Sequence, residues 1–197
     1  MIEQGNEAEK EVIKRVAEFM CASARTAPKA KGIDNIVTAI ITGKDKKRLA
    51  DEMERIGKEK KRNSFLRDSK NIRKVPLLVL MGTRARPIGL AVCGLCGFKN
   101  CKKLEKAGGI CTFNSGDLGI AMGSAVSLAT NFHIDNRIMY TAGIAALNLK
   151  LLGKDVNPVR SPRQKRGRRR RRFISNEVKI AFGIPLSISG KNPFFDR

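Results

Sequence analysis

Four cysteines in one glycine-punctuated stretch limit what this chain can fold into more than any other feature. The stretch Cys93-Gly-Leu-Cys96-Gly-Phe-Lys-Asn-Cys101, with nine residues between Cys101 and Cys111, has the spacing C-x2-C-x4-C-x9-C. Cys93 and Cys96 make a chelating turn in which Gly94 and Gly97 permit a backbone that a Cβ would hinder. Cys101 opens a short helix expected over 100–107, and Ala107-Gly108-Gly109-Ile110 reads as a flexible bridge to Cys111. Thiols that merely pack have no need of this spacing. Four thiolates from so short a segment suit a cubane cluster or a tetrahedral metal. Zinc is chemically reasonable, because zinc sites use C-x2-C pairs. Here one such pair is followed by isolated cysteines, which favours iron–sulfur. Residues 90–112 are therefore read as a metal- or cluster-binding loop, with Cys93, Cys96, Cys101 and Cys111 as its ligands. The fifth cysteine, Cys21, falls on the inward face of a helix and reads as an inert thiol.

Around the loop, helical and strand-like segments alternate. Residues 7–24 read as an amphipathic helix with Val12, Val16, Phe19 and Met20 inward, and 45–60 as a charged helix with Leu49, Met53 and Ile56 inward. Residues 33–42 are β-branched, and 76–81 (P-L-L-V-L-M) are wholly apolar, so both read as strands, the second buried. Two further helices are expected over 117–132 and 136–152. Gly119, Gly123, Ala125 and Ala129 would allow close helix approach, and Asp135 or Asn136 would serve as N-cap of the second helix. Residues 178–184 resume a buried strand. The pattern predicts one α/β (α+β layered) domain over 1–197, a mixed sheet flanked by helices with the cysteine loop inserted.

The net charge is +22. Residues 158–176 concentrate it in R-S-P-R-Q-K-R-G-R-R-R-R-R and read as a disordered basic insertion. Phosphate contacts by such a run would be strong and sequence-blind, giving an alternative function as a zinc- or cluster-stabilised nucleic-acid-binding module. Only Phe173 borders the run, so no base-stacking platform accompanies it. The overall field also suits an acidic redox protein as partner. No apolar run is long enough for a membrane span, and Met1–Lys14 lacks a secretory signature. With free thiols, this points to the cytoplasm. The single histidine, His133, closes a helix and reads as structural.

The segment C-G-L-C-G-F-K-N-C resembles the 4Fe–4S domain of the Rnf electron-transport B subunit and of corrinoid iron–sulfur proteins, although the gap to Cys111 is shorter than in those families. The chain as a whole resembles a family of uncharacterised proteins that carry a ferredoxin domain and occur mostly in anaerobic bacteria and archaea. The matching stretches are C-A-S-A-R-T-A-P-K-A-K-G-I-D-N (21–35), the cysteine loop, D-L-G-I-A-M-G-S-A-V-S-L-A (117–129), D-N-R-I-M-Y-T-A-G (135–143) and F-G-I-P-L-S-I-S-G-K-N-P-F-F-D-R (182–197). The resemblance implies a 4Fe–4S cluster on the four cysteines and electron transfer as the activity.

The early A-R-T-A-P-K-A-K-G, the small-residue helices and the closing G-I-P strand are also similar to the nitroreductase-like flavoproteins. That likeness implies FMN as a further cofactor or a flavin partner, and a homodimer. It would put the FMN phosphate on Arg25 and on Lys29 or Lys31, with Lys191 as a late contact. A solvated basic loop explains the same residues without a ligand.

Overall fold

Residues 77–81 of the apolar run lie in a central strand of the sheet whose every residue is buried, and only Pro76 at its edge is exposed. The computed structural model describes residues 2, 4–153 and 177–195; the basic run 158–176 lies outside them. The elements in order are α1 (Gly5–Thr26), a 3-10 turn (Ala30–Gly32), β1 (Ile36–Ile41), α2 (Gly43–Glu59), α3 (Asn63–Lys74), β2 (Leu77–Arg84), α4 (Cys101–Lys106), α5 (Thr112–Asn131), β3 (Asp135–Asn136), α6 (Tyr140–Asn148) and β4 (Val178–Ser187).

The sheet has the order β1-β2-β4-β3. Alternate residues of β2 face opposite layers, as the two-residue period of a strand requires. Leu77, Val79 and Met81 join Ile36, Ile184 and Leu186 against Ile13, Val16, Ala17 and Met20 of α1 and Leu118, Ala121, Ala125 and Ala129 of α5. Leu78 and Leu80 face the other way, against Leu49 and Met53 of α2, Phe65 and Ile72 of α3, and Ala142, Ala145 and Ala146 of α6. The result is a helix–sheet–helix sandwich, so the layered α/β expectation holds.

Several expectations are corrected. The sheet is antiparallel in every pair rather than mixed. The cause is the α2–α3 hairpin: one helix runs back and the next returns, so β2 starts beside the end of β1, with Ile41 opposite Leu78. Helix α3 was not expected. Its inward face carries Asp68, Ser69 and Asn71 beside Phe65 and Ile72, which hides the apolar period. In α1 the buried stripe is Ile13, Val16, Ala17, Met20 and Ala24. Val12 and Phe19 point outward, where Phe19 stacks on Phe132 with ring centroids 6.2 Å apart.

Helix α5 begins at Thr112, five residues before its expected start. Gly119 and Gly123 face open space, and the close approach falls to Ala121, Ala125 and Ala129. Asp135 and Asn136 are not caps: they pair with Ser187 and Leu186, and Met139 precedes α6. His133 takes a left-handed backbone, φ 58°, just past the end of α5. Among the described residues no helix is long and apolar enough to cross a membrane.

Candidate functional site

The cysteine loop leaves the sheet at Arg84 and rejoins the fold at Cys111, the N-cap residue of α5. One side chain holds the two ends together. Asn114, 1% exposed, donates from Nδ2 to the carbonyls of Arg84 (2.9 Å) and Arg86 (2.8 Å). Its Oδ1 accepts from Asn35 Nδ2 at 3.3 Å. Beside it, both carboxylate oxygens of Asp117 accept from the Ala30 N–H at 3.1 Å, which fastens the 27–35 loop to the same helix. Replacing Asn114 by alanine removes three buried hydrogen bonds, leaving the Arg84 carbonyl to the Arg86 N–H at 2.9 Å and the Asn35 amide to the Arg86 carbonyl at a long 3.5 Å. A loss of about 2–4 kcal/mol is expected from three such bonds at about 0.5–1.5 kcal/mol each, measured by urea unfolding. Faster alkylation of Cys111 should accompany it.

Within the loop, Gly97 N–H donates to Gly94 O at 2.8 Å, closing the turn between Cys93 and Cys96, with Gly97 at φ 79°. Asn100 caps α4 by accepting from Lys103 N–H at 3.0 Å, so Cys101 is the first residue of that helix. The stretch 107–110 is a Schellman stop rather than a flexible bridge. Gly108, at φ 66°, donates to Glu105 O, and Gly109 donates to Leu104 O at 3.1 Å.

All four cysteines are free thiols. Cys93, Cys96 and Cys101 are half-buried and Cys111 is 6% exposed. Cys111 packs with Ile88 and Leu104, and Cys96, Phe98, Phe113 and Ala30 pack against that small cluster. The fold thus brings Cys96 and Cys111 to the same apolar cluster. Among the described residues no three cysteine, histidine or carboxylate side chains are gathered into a metal-holding group. The donor set nonetheless fits a thiolate-bound cluster. It offers four unpaired sulfurs, no disulfide, and a 90–100 backbone with no helix or strand to break when the sulfurs close on a metal core.

The basic residues singled out from sequence do not form one site within the chain. Arg25 Nη1 donates to the Ile36 carbonyl at 3.1 Å and pairs with Asp34. Lys29 Nζ donates to the carbonyls of Ala24 (2.9 Å), Arg25 (2.7 Å) and Ala27 (2.7 Å). An ammonium has three donors, so Lys29 is used up in closing the end of α1. Burial lowers its pKa, while Asp34 opposes that. Lys31 is exposed in the 3-10 turn at φ 58°. These three sit near Thr83, whereas Lys191 follows β4, whose Leu186 pairs with Leu77 at the other end of β2. Six residues of β2 separate them, roughly 20 Å at about 3.3 Å per residue.

Two groups of functional candidates escaped the sequence reading. Arg84 and Arg86 join Arg25 at the loop end of the sheet. Burial, then the neighbouring Arg86 and Arg25, hold the Arg84 pKa below its ordinary value, and the buried Nε of Arg86 has no hydrogen-bond partner among the described residues. The R-A-R spacing after an apolar run was the available signal. At the opposite end Lys191 lines a cavity of about 620 Å³ with Arg67, Lys74, Asn71, Ser187 and Phe194. Asn71 is 8% exposed there, and among the described residues Lys74 has no ion pair. These residues come from α3, the helix the sequence hid. Cys21 is half-buried; burial pushes its thiol pKa up, and a hydrogen bond with Thr38 pulls it partly back.

Comparison with known proteins adds to this geometry. Residues 107–159 and 169–197 match the family described as "uncharacterized protein containing a ferredoxin domain". An uncharacterized protein of Archaeoglobus fulgidus is 36% identical over 196 residues, covering 95% of this chain and 92% of the relative. Among solved structures, a BluB-like flavoprotein from Clostridium difficile 630 superposes with a TM-score of 0.56 at 18% identity, covering 90% of this chain and 81% of the other. A nitroreductase-like family protein from Bacillus cereus gives 0.53 at 10% identity, covering 93% and 79%. The hypothetical oxidoreductase YcnD from Bacillus subtilis gives 0.53 at 14% identity over 90% of this chain, which spans 58% of that protein's length. The fold is therefore nitroreductase-like.

Proposed function

The chain belongs to the family of uncharacterised proteins containing a ferredoxin domain, and from that premise we propose that it is an electron-transfer protein whose Cys93, Cys96, Cys101 and Cys111 hold a 4Fe–4S cluster. The observation that carries the proposal is four free thiols on one loop, both ends of which Asn114 ties to the sheet. A bound cluster supplies one-electron transfer. Cys111, as N-cap of a 20-residue helix, sits where the helix dipole favours negative charge. Arg84 and Arg86 lead into the loop and add positive charge on the same side, which favours the more negative, reduced state. Leu104, Ile88 and Phe113 limit water around Cys111.

We assign FMN as the second carrier. The BluB-like neighbour is a flavoprotein, and a dianionic phosphate is matched on this chain by the cavity of Arg67, Lys74 and Lys191. Anaerobic purification tests both parts. Broad absorption near about 400 nm with about four iron and four sulfide per chain is the expected result. A colourless protein holding one zinc would replace the cluster with a structural metal. For the flavin, Lys74→Glu with Lys191→Glu should weaken FMN binding by at least about tenfold, the scale of a lost charge-assisted contact. Unchanged affinity would remove FMN from that cavity.

A further inference from the structure

The cysteine loop exposes apolar side chains that a solvated loop has no reason to carry. Val92 is 96% exposed and Leu95 70%, and Leu90 and Ile110 are also exposed. In sequence they bracket the cysteines, Leu90 and Val92 before Cys93, Leu95 between Cys93 and Cys96, and Ile110 before Cys111. Around them lie Lys99, Lys102, Lys103 and Lys106, all exposed and without an ion pair among the described residues, against one acid, Glu105. Lys179 adds its ammonium at the rim, donating to Gly108 O at 3.2 Å. The charge contrasts with α2, where Arg48, Arg55 and Lys58 are matched by Asp45, Glu52, Glu59 and Glu54 on the same helix. An apolar centre inside a rim of one sign is the anatomy of a docking surface.

We propose that this loop is the docking surface for an acidic electron-transfer protein, with Leu90, Val92, Leu95 and Ile110 at its centre and Lys99, Lys102, Lys103 and Lys106 at its rim. The inference rests on the redox reading above, and it names the chemistry of the partner. A partner of opposite sign is required because two copies of a +22 chain repel through this rim. A protein surface fits better than a lipid surface because the apolar residues bracket the cysteines, so whatever covers them approaches the sulfurs.

The test uses the full chain, purified anaerobically, with a small acidic ferredoxin as probe and calorimetric titration at several salt concentrations. Lys102→Glu with Lys103→Glu should weaken binding by at least about tenfold at low salt, and lessen its salt dependence. Lys44→Glu with Lys47→Glu makes the same charge change on exposed positions of α2 and should alter binding by less than about twofold. Leu95→Ser should weaken binding about tenfold with the salt dependence unchanged. Equal losses in the two charge pairs would reduce the interaction to diffuse attraction and overturn the proposal. So would wild-type binding by Leu95→Ser, self-association of the chain abolished by that variant, or equally tight, Leu95-dependent binding to phosphatidylglycerol vesicles. Iron and sulfide measured on the same samples keep the two ideas apart. Binding without a cluster would sink the redox reading and leave the surface; a cluster without loop-dependent binding would do the reverse.

Discussion

Replacing Cys111 with serine should empty the cluster while leaving the apoprotein as stable as before, or more so. Cys111 is the N-cap of α5, with φ −68° and ψ 130°, and its sulfur makes no capping hydrogen bond. Serine is among the best residues for that position, because its hydroxyl accepts from the free N–H groups of the first turn. The gain over a non-capping side chain is about 1 kcal/mol. The hydroxyl is a poor substitute for a thiolate toward iron. Iron and sulfide should therefore fall from about four each to less than about one per chain, with apoprotein unfolding midpoints equal to or above those of wild-type apoprotein. Full iron content in this variant would strike Cys111 from the ligand set. A collapse of the apoprotein would mean that the side chain matters through packing against Leu104 and Ile88 instead.

The other large effect concerns a glycine remote from the loop. A Cβ at Gly143 of α6 would lie 1.7 Å from the carbonyl oxygen of Ala181 and 2.3 Å from its carbon. Those atoms belong to β4, a strand bonded on both sides, so neither partner can retreat without lifting the helix from the sheet. Gly143→Ala should cost about 4 kcal/mol or more, beyond the usual overpacking range, and lower the thermal midpoint by about 10 °C. Gly119→Ala and Gly123→Ala are the matched controls. Both glycines sit in the interior of α5 with nothing within 4 Å of the added carbon. Each change should stabilise by about 0.5–1 kcal/mol through the lost freedom of the unfolded chain. Destabilisation at 119 or 123 comparable to that at 143 would show that the face of α5 is closed by something the chain alone does not supply.

The same glycines show where the sequence was legible. Apolar period and length revealed α2 with Leu49, Met53 and Ile56 inward, and revealed β2 as a strand buried on both faces, because those elements bury side chains of one chemical type. Helix α3 stayed hidden because Asp68, Ser69 and Asn71 occupy its inward face. Asp68 is held there by its neighbour Arg67 and by Thr141 at 2.7 Å, a partner that only the fold brings near. The small-residue stripe on α5 was visible, but its two faces were confused: alanine packs and glycine is open. The basic residues failed for a similar reason. Lys29 looked like a phosphate ligand, yet it closes its own helix on three carbonyls, and Lys191 joined Arg67 and Lys74 across the chain.

The sequence alone determined the chemistry on offer: four thiols at chelating intervals, a central strand apolar throughout, and a large positive charge. These are properties of residue type and spacing, which local rules translate directly. The tertiary structure decided which cations meet, which glycines are crowded, and that Asn114 joins the two ends of the loop. Each of those depends on contacts between residues far apart in the chain, whose free energy exists only once the sheet and both helical layers have formed.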